Sequence, residues 1–204
     1  MRFSLLDEVA TRKFKKGYMS NLQFNPNLTP RQVIEAGAFG GSYFGVEDLQ
    51  GDYEYQSLFQ ETLKGVAPHL YLGGKYKPKM NLFKVRSGMN YDYWRDMNWM
   101  HKDDPYGWFE WYLKYYNGRR HPDDDRQIRR WQDFCGVNGR WRHNIYKKIH
   151  ESGDWTIGKR VQQSLLHWGY MVNEEDYIQW KIKNELKMKR MINSGREWDW
   201  MDDE

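Results

Sequence analysis

The chain has 204 residues, 17% of them aromatic, and a formal net charge of +4, which fits one globular domain and excludes a disordered chain. Its single cysteine excludes an intrachain disulfide and any zinc site built on several thiolates, and it favours a reducing, cytoplasmic setting. No apolar run approaches the roughly 20 residues of a membrane span, and the N-terminal residues do not resemble a secretory signal, so no membrane partner is expected.

The first clear helix signal lies at Thr29, where Thr-Pro-Arg-Gln is typical of a capping box with proline at the first helical position. This helix is expected to end near Gly37, because residues 38–45 form a turn rich in glycine and aromatic residues. Paired glycines allow a close approach to another element or to a phosphate. No Gly-Lys-Ser/Thr follows, which excludes a P-loop, and close packing is the favoured interpretation.

Residues 68–88, which we call the basic loop, contain no acidic side chain. Their prolines and glycines predict a long loop or a loose hairpin. Aromatic residues such as Tyr76 and Phe83 lie among the basic ones, as expected for a segment that binds phosphates and stacks on bases. The alternative is a solvated loop whose aromatic rings pack into the domain. Three of its lysines are candidate nucleic-acid ligands: Lys75, Lys77 and Lys79.

The most aromatic stretch of the chain, residues 104–117, predicts the central helix of the fold. Asp104 can cap it, Pro105 suits the first helical position, and Gly118 follows where a left-handed residue would end it. Apolar side chains cover nearly its whole circumference, so other elements or a ligand must cover them. We therefore predict a mainly α fold, in which five or six helices pack around the helix at 104–117 and the basic loop lies beside them.

Two arginine-rich helices are predicted next, over about 123–135 and 140–150, with a tight break between them that loosely resembles a helix-turn-helix. Guanidinium groups make forked contacts with phosphate and stack on bases, so their arginines predict one exposed nucleic-acid-binding surface. The alternative, which the sequence leaves open, is that nearby acidic residues pair with them. The candidate ligands of this surface are Arg119, Arg120, Arg126, Arg129, Arg130, Arg140, Arg142, His143 and Lys147.

Two further helices are predicted towards the C-terminus. The spacing of Val161, Leu165 and Trp168 indicates the first, and Asn173 caps the second, which is long. The segment 195–204 carries five acidic side chains against one arginine, so the rest of the chain holds a charge of about +8. We therefore divide the chain into one globular domain, 1–194, and an acidic tail, 195–204, that is expected to be disordered. A basic domain with an acidic tail fits a polyanion partner.

His121 and the aspartates at 123–125 suggest metal chemistry, since hard cations bind carboxylate oxygens. Consecutive aspartates project in different directions on a helix, however, so they are better explained by capping and by the helix dipole. His143 and His150 lie two helical turns apart, roughly 10 Å along the axis, which is too far to share an ion. We therefore predict no metal and no cofactor, and no catalytic residue is identified.

Five segments within roughly 28–44 and 104–170 form a distinctive set of motifs: LTPRQVIEAGAFGGSYF, DPYGWFEWYLKYYNGRR, DDDRQIRRW, NGRWR and QQSLLHWGY. Together they resemble a family of uncharacterised proteins found in fungi, plants and tailed phages. The resemblance implies no functional residues, because no activity is assigned to this family. It does imply that the central helix and the arginine-rich helices form one unit, and its phage members make a viral protein one expectation.

The leading hypothesis is a nucleic-acid-binding protein that places arginines on phosphates and aromatic rings on bases. One alternative is a metal-dependent, nuclease-like enzyme that acts on nucleotides or nucleic acid, and another is a structural or adaptor protein. A steep salt dependence of nucleic-acid binding would favour the first two, and metal-dependent turnover would separate them.

Overall fold

The computed structural model describes residues 22–45, 61–88, 91–97 and 100–194, and these are mainly helical, as the sequence predicts. No helix in these ranges is long and apolar enough to cross a membrane. The acidic tail at 195–204 lies outside the described residues. Two short 3-10 helices, Pro68–Leu70 and Pro78–Met80, lie in the basic loop. The α-helices are α1 (Pro30–Glu35), α2 (Tyr91–Asp96), α3 (Trp108–Tyr116), α4 (Asp124–Cys135), α5 (Arg140–Ser152), α6 (Lys159–His167) and α7 (Glu174–Asn193).

Helix α3 lies at the centre of the core, as its apolar surface predicts. Its side chains are buried from Trp108 to Lys114. The rings of Trp108 and Trp111 lie 6.1 and 5.4 Å from the ring of Phe24, which precedes α1. Helix α4 adds Trp131, whose ring is 5.2 Å from the same phenylalanine, and α1 packs against α3. The part of the core around α3 is therefore rich in aromatic side chains.

The central helix is shorter than predicted, because it begins at Trp108 and not at Asp104. The Asp104 carboxylate does not cap the helix, since it lies 2.7 Å from the guanidinium of Arg119 and 3.3 Å from Nζ of Lys114. The residues before the helix form a turn instead, in which the Gly107 N–H donates to the Asp104 carbonyl (2.9 Å). Gly107 has a φ of +86°, a conformation that side chains disfavour.

The four helices that follow α3 are found close to their predicted positions. Helix α5 packs against α4, and both α6 and α7 pack against α5. Asn173 caps α7 as predicted, since its Oδ1 accepts the backbone N–H of Asp176 (2.8 Å). Helix α7 is anchored by the buried Trp180, whereas Ile178 and Ile182 on this helix are exposed.

The basic loop is irregular, and the described part of it contains no β-strand. It packs against the glycine-rich turn, because the Leu82 N–H donates to the Gly37 carbonyl (3.0 Å) and the Lys77 N–H donates to the Gly40 carbonyl (2.8 Å). Both glycines have a positive φ, and a side chain at either would collide with the loop. Close packing, the favoured interpretation of this turn, is therefore confirmed.

Candidate functional site

Two of the predicted nucleic-acid ligands hold carboxylates of the protein itself. The guanidinium of Arg119 lies 2.7 Å from the buried carboxylate of Asp104. Arg126 contacts both carboxylate oxygens of Asp123, with N···O distances of 2.6 and 2.7 Å. Partial burial acts to raise the pKa of Asp123. The hydrogen bonds and charge of Arg126, together with a hydrogen bond from Gln127, outweigh burial and hold this pKa below its usual value. Internal pairing, the alternative that the sequence left open, therefore holds for these two arginines.

Arg142 on α5 does not lie on an exposed surface, so the prediction of exposure is wrong for this residue, and its neighbour His143 is partly covered. Arg142 is only 8% exposed, pairs with Asp176 at 2.8 Å and lies 4.6 Å from the centre of the Tyr170 ring. His143 is half-buried, and its Nδ1 accepts the indole N–H of Trp180 (2.9 Å). Both residues are covered because α7 packs on this side of α5, which the sequence of α5 does not reveal.

The other candidates on this part of the chain differ in exposure. Arg120 is half-buried, and its guanidinium lies 4.0 Å from the centre of the Tyr115 ring while donating to the Tyr115 carbonyl (3.0 Å). Lys147 is also half-buried. Arg129 and Arg140 are exposed, as predicted, and are therefore accessible to a ligand.

A row of three half-buried aromatic rings crosses the surface formed by α4, α5 and the end of α6. Phe134 stacks on the indole of Trp168, with ring centres 4.9 Å apart, and lies 5.9 Å from Trp141. The guanidinium of Arg130 lies 5.5 Å from the Trp168 ring, and that of Arg140 lies 5.6 Å from the Trp141 ring. Each end of the aromatic row therefore has an arginine beside it.

A cleft of about 450 Å³ opens beside this row. Arg86 at the end of the basic loop and Arg160 on α6 are exposed on its walls, next to the rings of Phe134 and Trp141. Arg160 was not predicted as a ligand, because one arginine near the start of a helix carries no local signal of binding. We call this site the arginine cleft, and its lining residues are Arg86, Ser87, Gly88, Phe134, Trp141, Arg160, Val161 and Ser164.

Hydrogen bonds fix the basic loop to α6 at the arginine cleft. The Ser87 hydroxyl donates to the carbonyl oxygen of Arg160 (3.0 Å) and lies 2.8 Å from Oγ of Ser164. Further along the loop, the Phe83 N–H donates to the side-chain oxygen of Gln163 (3.2 Å). These bonds place two arginines from distant parts of the chain on one cleft.

The three predicted lysines of the basic loop, Lys75, Lys77 and Lys79, are exposed and do not line the arginine cleft. Tyr76 lies between them in the sequence, but its ring is half-buried and its hydroxyl accepts an N–H of the Asn81 side chain (2.6 Å). The ring is therefore packed into the domain, which was the alternative interpretation of this loop. The lysines add positive charge to the surface of this loop.

A second cleft, of about 530 Å³, shares residues 86–88 with the arginine cleft and is lined by aromatic rings such as Phe44 and Trp94. His167 also lines it, and its Nε2 donates to the carbonyl oxygen of Ala38 (2.7 Å). Burial lowers the pKa of His167 to about 4, although that hydrogen bond acts in the opposite direction. The imidazole is therefore neutral at neutral pH.

The burial of neutral His167 predicts that acid weakens the fold. On unfolding its pKa returns from about 4 to 6.5, so the unfolded chain binds a proton that the folded chain does not. This stabilisation is complete above pH 6.5 and is lost as the pH falls towards 4, at a cost of about 2–3 kcal/mol. Urea unfolding at pH 4 and above pH 6.5 measures this effect. The free energy of unfolding should fall less on acidification in His167→Gln than in the parent, because the glutamine amide can still donate to Ala38 but does not bind a proton. An equal loss in parent and variant would contradict the prediction.

One group of side chains in the described part of the chain could hold a metal ion: His101, Asp103 and His121. Oδ2 of Asp103 lies 3.0 Å from Nε2 of His121 and 3.5 Å from Nδ1 of His101. The sequence interpretation considered His121 only with the aspartates at 123–125. It missed His101 and Asp103, because the whole central helix separates them from His121 along the chain.

Comparison with protein families, with curated proteins and with solved structures finds no match for this chain. The resemblance of its motif segments to fungal, plant and phage proteins remains a prediction. The arginine cleft and the group formed by His101, Asp103 and His121 are the two candidate sites in the described part of the chain.

Proposed function

We propose that this protein binds single-stranded nucleic acid in the arginine cleft. The observation that carries the proposal is the pairing of two exposed arginines, Arg86 and Arg160, with two aromatic rings, Phe134 and Trp141, on one cleft. Arginines can neutralise phosphates while aromatic rings stack on bases, and proteins that bind single strands combine these two contacts.

The surroundings of the cleft support this proposal. Arg130 and Arg140 lie at the two ends of the adjacent aromatic row, and Arg129 is exposed on the same helix as Arg130. A volume of about 450 Å³ lies within the range of small-ligand pockets, which is roughly 300–1,000 Å³. The exposed lysines of the basic loop add positive charge that would draw a polyanion towards the molecule.

Reversing both cleft arginines, in the variant Arg86→Glu/Arg160→Glu, is expected to weaken nucleic-acid binding by about 10-fold or more, because phosphate contacts are lost and replaced by repulsion. Fluorescence anisotropy of labelled single-stranded DNA and RNA, repeated at several salt concentrations, measures the affinity and its salt dependence. The matched control is Lys189→Glu/Arg190→Glu, which reverses two exposed charges on α7 and makes the same change in net charge.

Trp141→Ala supplies a second arm of this experiment, because it removes a stacking surface without changing the charge. Stacking on an aromatic side chain is worth about 1–3 kcal/mol per base, so affinity should fall while its salt dependence stays the same. Trp155→Ala, at an exposed tryptophan outside the cleft, is the control. Affinities that respond equally to the cleft and control variants would show that the attraction depends only on bulk charge and would refute the proposal.

The same samples distinguish the two alternative functions. A nuclease-like enzyme would shorten the labelled strand in the presence of a divalent metal ion, which a denaturing gel detects. An adaptor protein would show no binding that depends on Arg86 and Arg160 at any salt concentration. The proposed binding function predicts an intact strand and an affinity that falls steeply with salt.

A further inference from the structure

The side chains of His101 and Asp103, which precede the central helix, and of His121, which follows it, bring three metal-binding atoms together. Oδ2 of Asp103 lies 3.0 Å from Nε2 of His121 and 3.5 Å from Nδ1 of His101, and all three atoms lie within 4.8 Å of one another. Bonds of 2.0–2.1 Å in a tetrahedral site place neighbouring ligand atoms about 3.3 Å apart. The spacing therefore needs only small side-chain adjustments to surround an ion.

We propose that these three residues form a binding site for one divalent transition-metal ion such as Zn²⁺. Two imidazoles and one carboxylate suit Zn²⁺, Co²⁺, Mn²⁺ or Fe²⁺, whereas Mg²⁺ and Ca²⁺ prefer sites built from oxygen ligands. Three protein ligands leave a position open, as in catalytic zinc sites and unlike closed structural ones. The three side chains are 23–43% exposed, so water or a phosphate oxygen can reach that position.

The Asp103 N–H donates to Nδ1 of His101 (3.2 Å), and an ion bound at that nitrogen would displace this contact. The other backbone contacts around the site do not involve the ligand atoms. The carbonyl oxygen of Asp103 accepts a hydrogen bond from Nζ of Lys114 (2.8 Å), and the Asp104 N–H donates to the His101 carbonyl (3.0 Å). On the other segment, the backbone N–H of His121 donates to the carboxylate of Asp124 (2.9 Å) at the start of α4. Both ligand-bearing segments are therefore fixed before an ion arrives.

The charges beneath the site do not oppose a cation. Lys114 and Arg119 both reach the carbonyl oxygen of Asp103, at 2.8 and 3.5 Å. The buried carboxylate of Asp104 lies 3.3 Å from Lys114 and 2.7 Å from Arg119, and that of Glu110 lies 2.8 Å from Lys114, so these carboxylates offset the two cations. Asp103 then remains as an additional negative charge beside the two imidazoles. An unscreened pair of cations would repel a divalent ion, whereas this neutralised pair does not.

In the absence of metal, His121 and Asp103 form a hydrogen bond. Nδ1 of His121 accepts the backbone N–H of Asp123 (3.2 Å), so Nε2 carries the ring proton and donates it to the Asp103 carboxylate (3.0 Å). A metal ion would take the place of that proton. The ring proton would then lie on Nδ1 and displace the Asp123 contact, which is at the long end of the hydrogen-bond range.

The metal site is separate from the arginine cleft. Asp123, just before α4, contacts the metal site through His121, and Phe134, near the end of α4, lines the arginine cleft. At a rise of 1.5 Å per residue, these two residues lie about 16 Å apart along the helix axis. The proposal therefore does not rest on nucleic-acid binding, and either one can fail while the other stands.

The experiment titrates the metal-free, full-length protein with Co²⁺ and follows the visible d–d absorption, whose intensity reports the coordination geometry. Zn²⁺ is then added in competition, and Mg²⁺ serves as the oxygen-preferring comparison. The expected result is one Co²⁺ bound per chain, displaced by Zn²⁺ and unaffected by Mg²⁺. Asp103→Asn and His121→Gln should each weaken binding by about 10–100-fold or more, since even second-shell changes around metal sites have effects of that size.

His69→Gln is the matched control, because it removes an exposed histidine in the basic loop and should leave the affinity unchanged. Asp103 is 43% exposed, so its amide variant is expected to fold, and near-ultraviolet circular dichroism checks this directly. His101→Gln provides an independent ligand variant if His121→Gln proves poorly folded. Absence of Co²⁺ binding to the parent, or equal binding by the parent and Asp103→Asn, would overturn the proposal.

Discussion

Replacing Trp111 by alanine is expected to lower the free energy of unfolding by about 3–5 kcal/mol, as truncation of a buried tryptophan does. Trp111 is fully buried at the centre of α3, and its indole N–H donates to Oδ1 of Asp124 on α4 (2.8 Å). Its ring also contacts those of Phe24 and Tyr115, at 5.4 and 5.0 Å. The substitution therefore creates a cavity and leaves a buried carboxylate oxygen without this donor.

Equilibrium unfolding in urea, followed by circular dichroism, measures this loss. Trp155→Ala is the matched control, because Trp155 is 40% exposed and its truncation should change stability by less than about 1 kcal/mol. A loss of similar size in the two variants would mean that α3 is not the centre of the core.

The second large effect is expected for Asp104→Asn, which should cost about 3–5 kcal/mol because it removes one partner from a buried set of ion pairs. The Asp104 side chain is fully buried, 2.7 Å from Arg119 and 3.3 Å from Lys114. In the variant, Lys114 keeps the carboxylate of Glu110 at 2.8 Å, whereas Arg119 loses the carboxylate that it contacts at 2.7 Å. The substitution preserves side-chain volume, so the loss reports charge and not packing.

The control for Asp104→Asn is Asp96→Asn, which removes a carboxylate from the exposed pair with Arg95. Exposed pairs contribute about 0–1 kcal/mol, so the control should have little effect on urea unfolding. The double variant Asp104→Asn/Arg119→Gln should recover part of the loss, because it also removes one of the unbalanced charges. A single variant as stable as the parent would show that the Asp104 carboxylate does not neutralise these cations.

Local sequence signals predicted the helices because each signal acts within a few residues. Oγ of Thr29 accepts the backbone N–H of Gln32 (3.3 Å), Asn173 caps α7, and Gly118 has a φ of +93° just after the central helix. Such residues satisfy the end groups of their own helix, so they depend little on the rest of the fold. The aromatic surface of 104–117 likewise predicted burial, because water would not solvate it favourably.

The same local reasoning misplaced Asp104, which has the right chemistry for a cap but a stronger partner in Arg119. A carboxylate and a guanidinium form a charge-assisted contact that outweighs a single capping bond. That competition depends on how the chain returns after the central helix, which residue types near position 104 do not encode.

Periodicity and composition determined that this protein has an aromatic core and arginine-rich helices, because those features depend on neighbouring residues. Tertiary packing alone decided which arginines a ligand can reach. Arg142 is covered because α7 supplies Asp176, whereas Arg86 and Arg160 share a cleft because the basic loop is bonded to α6. The pairing of a charged side chain depends on the segment packed against it, and that segment lies far along the chain in each case.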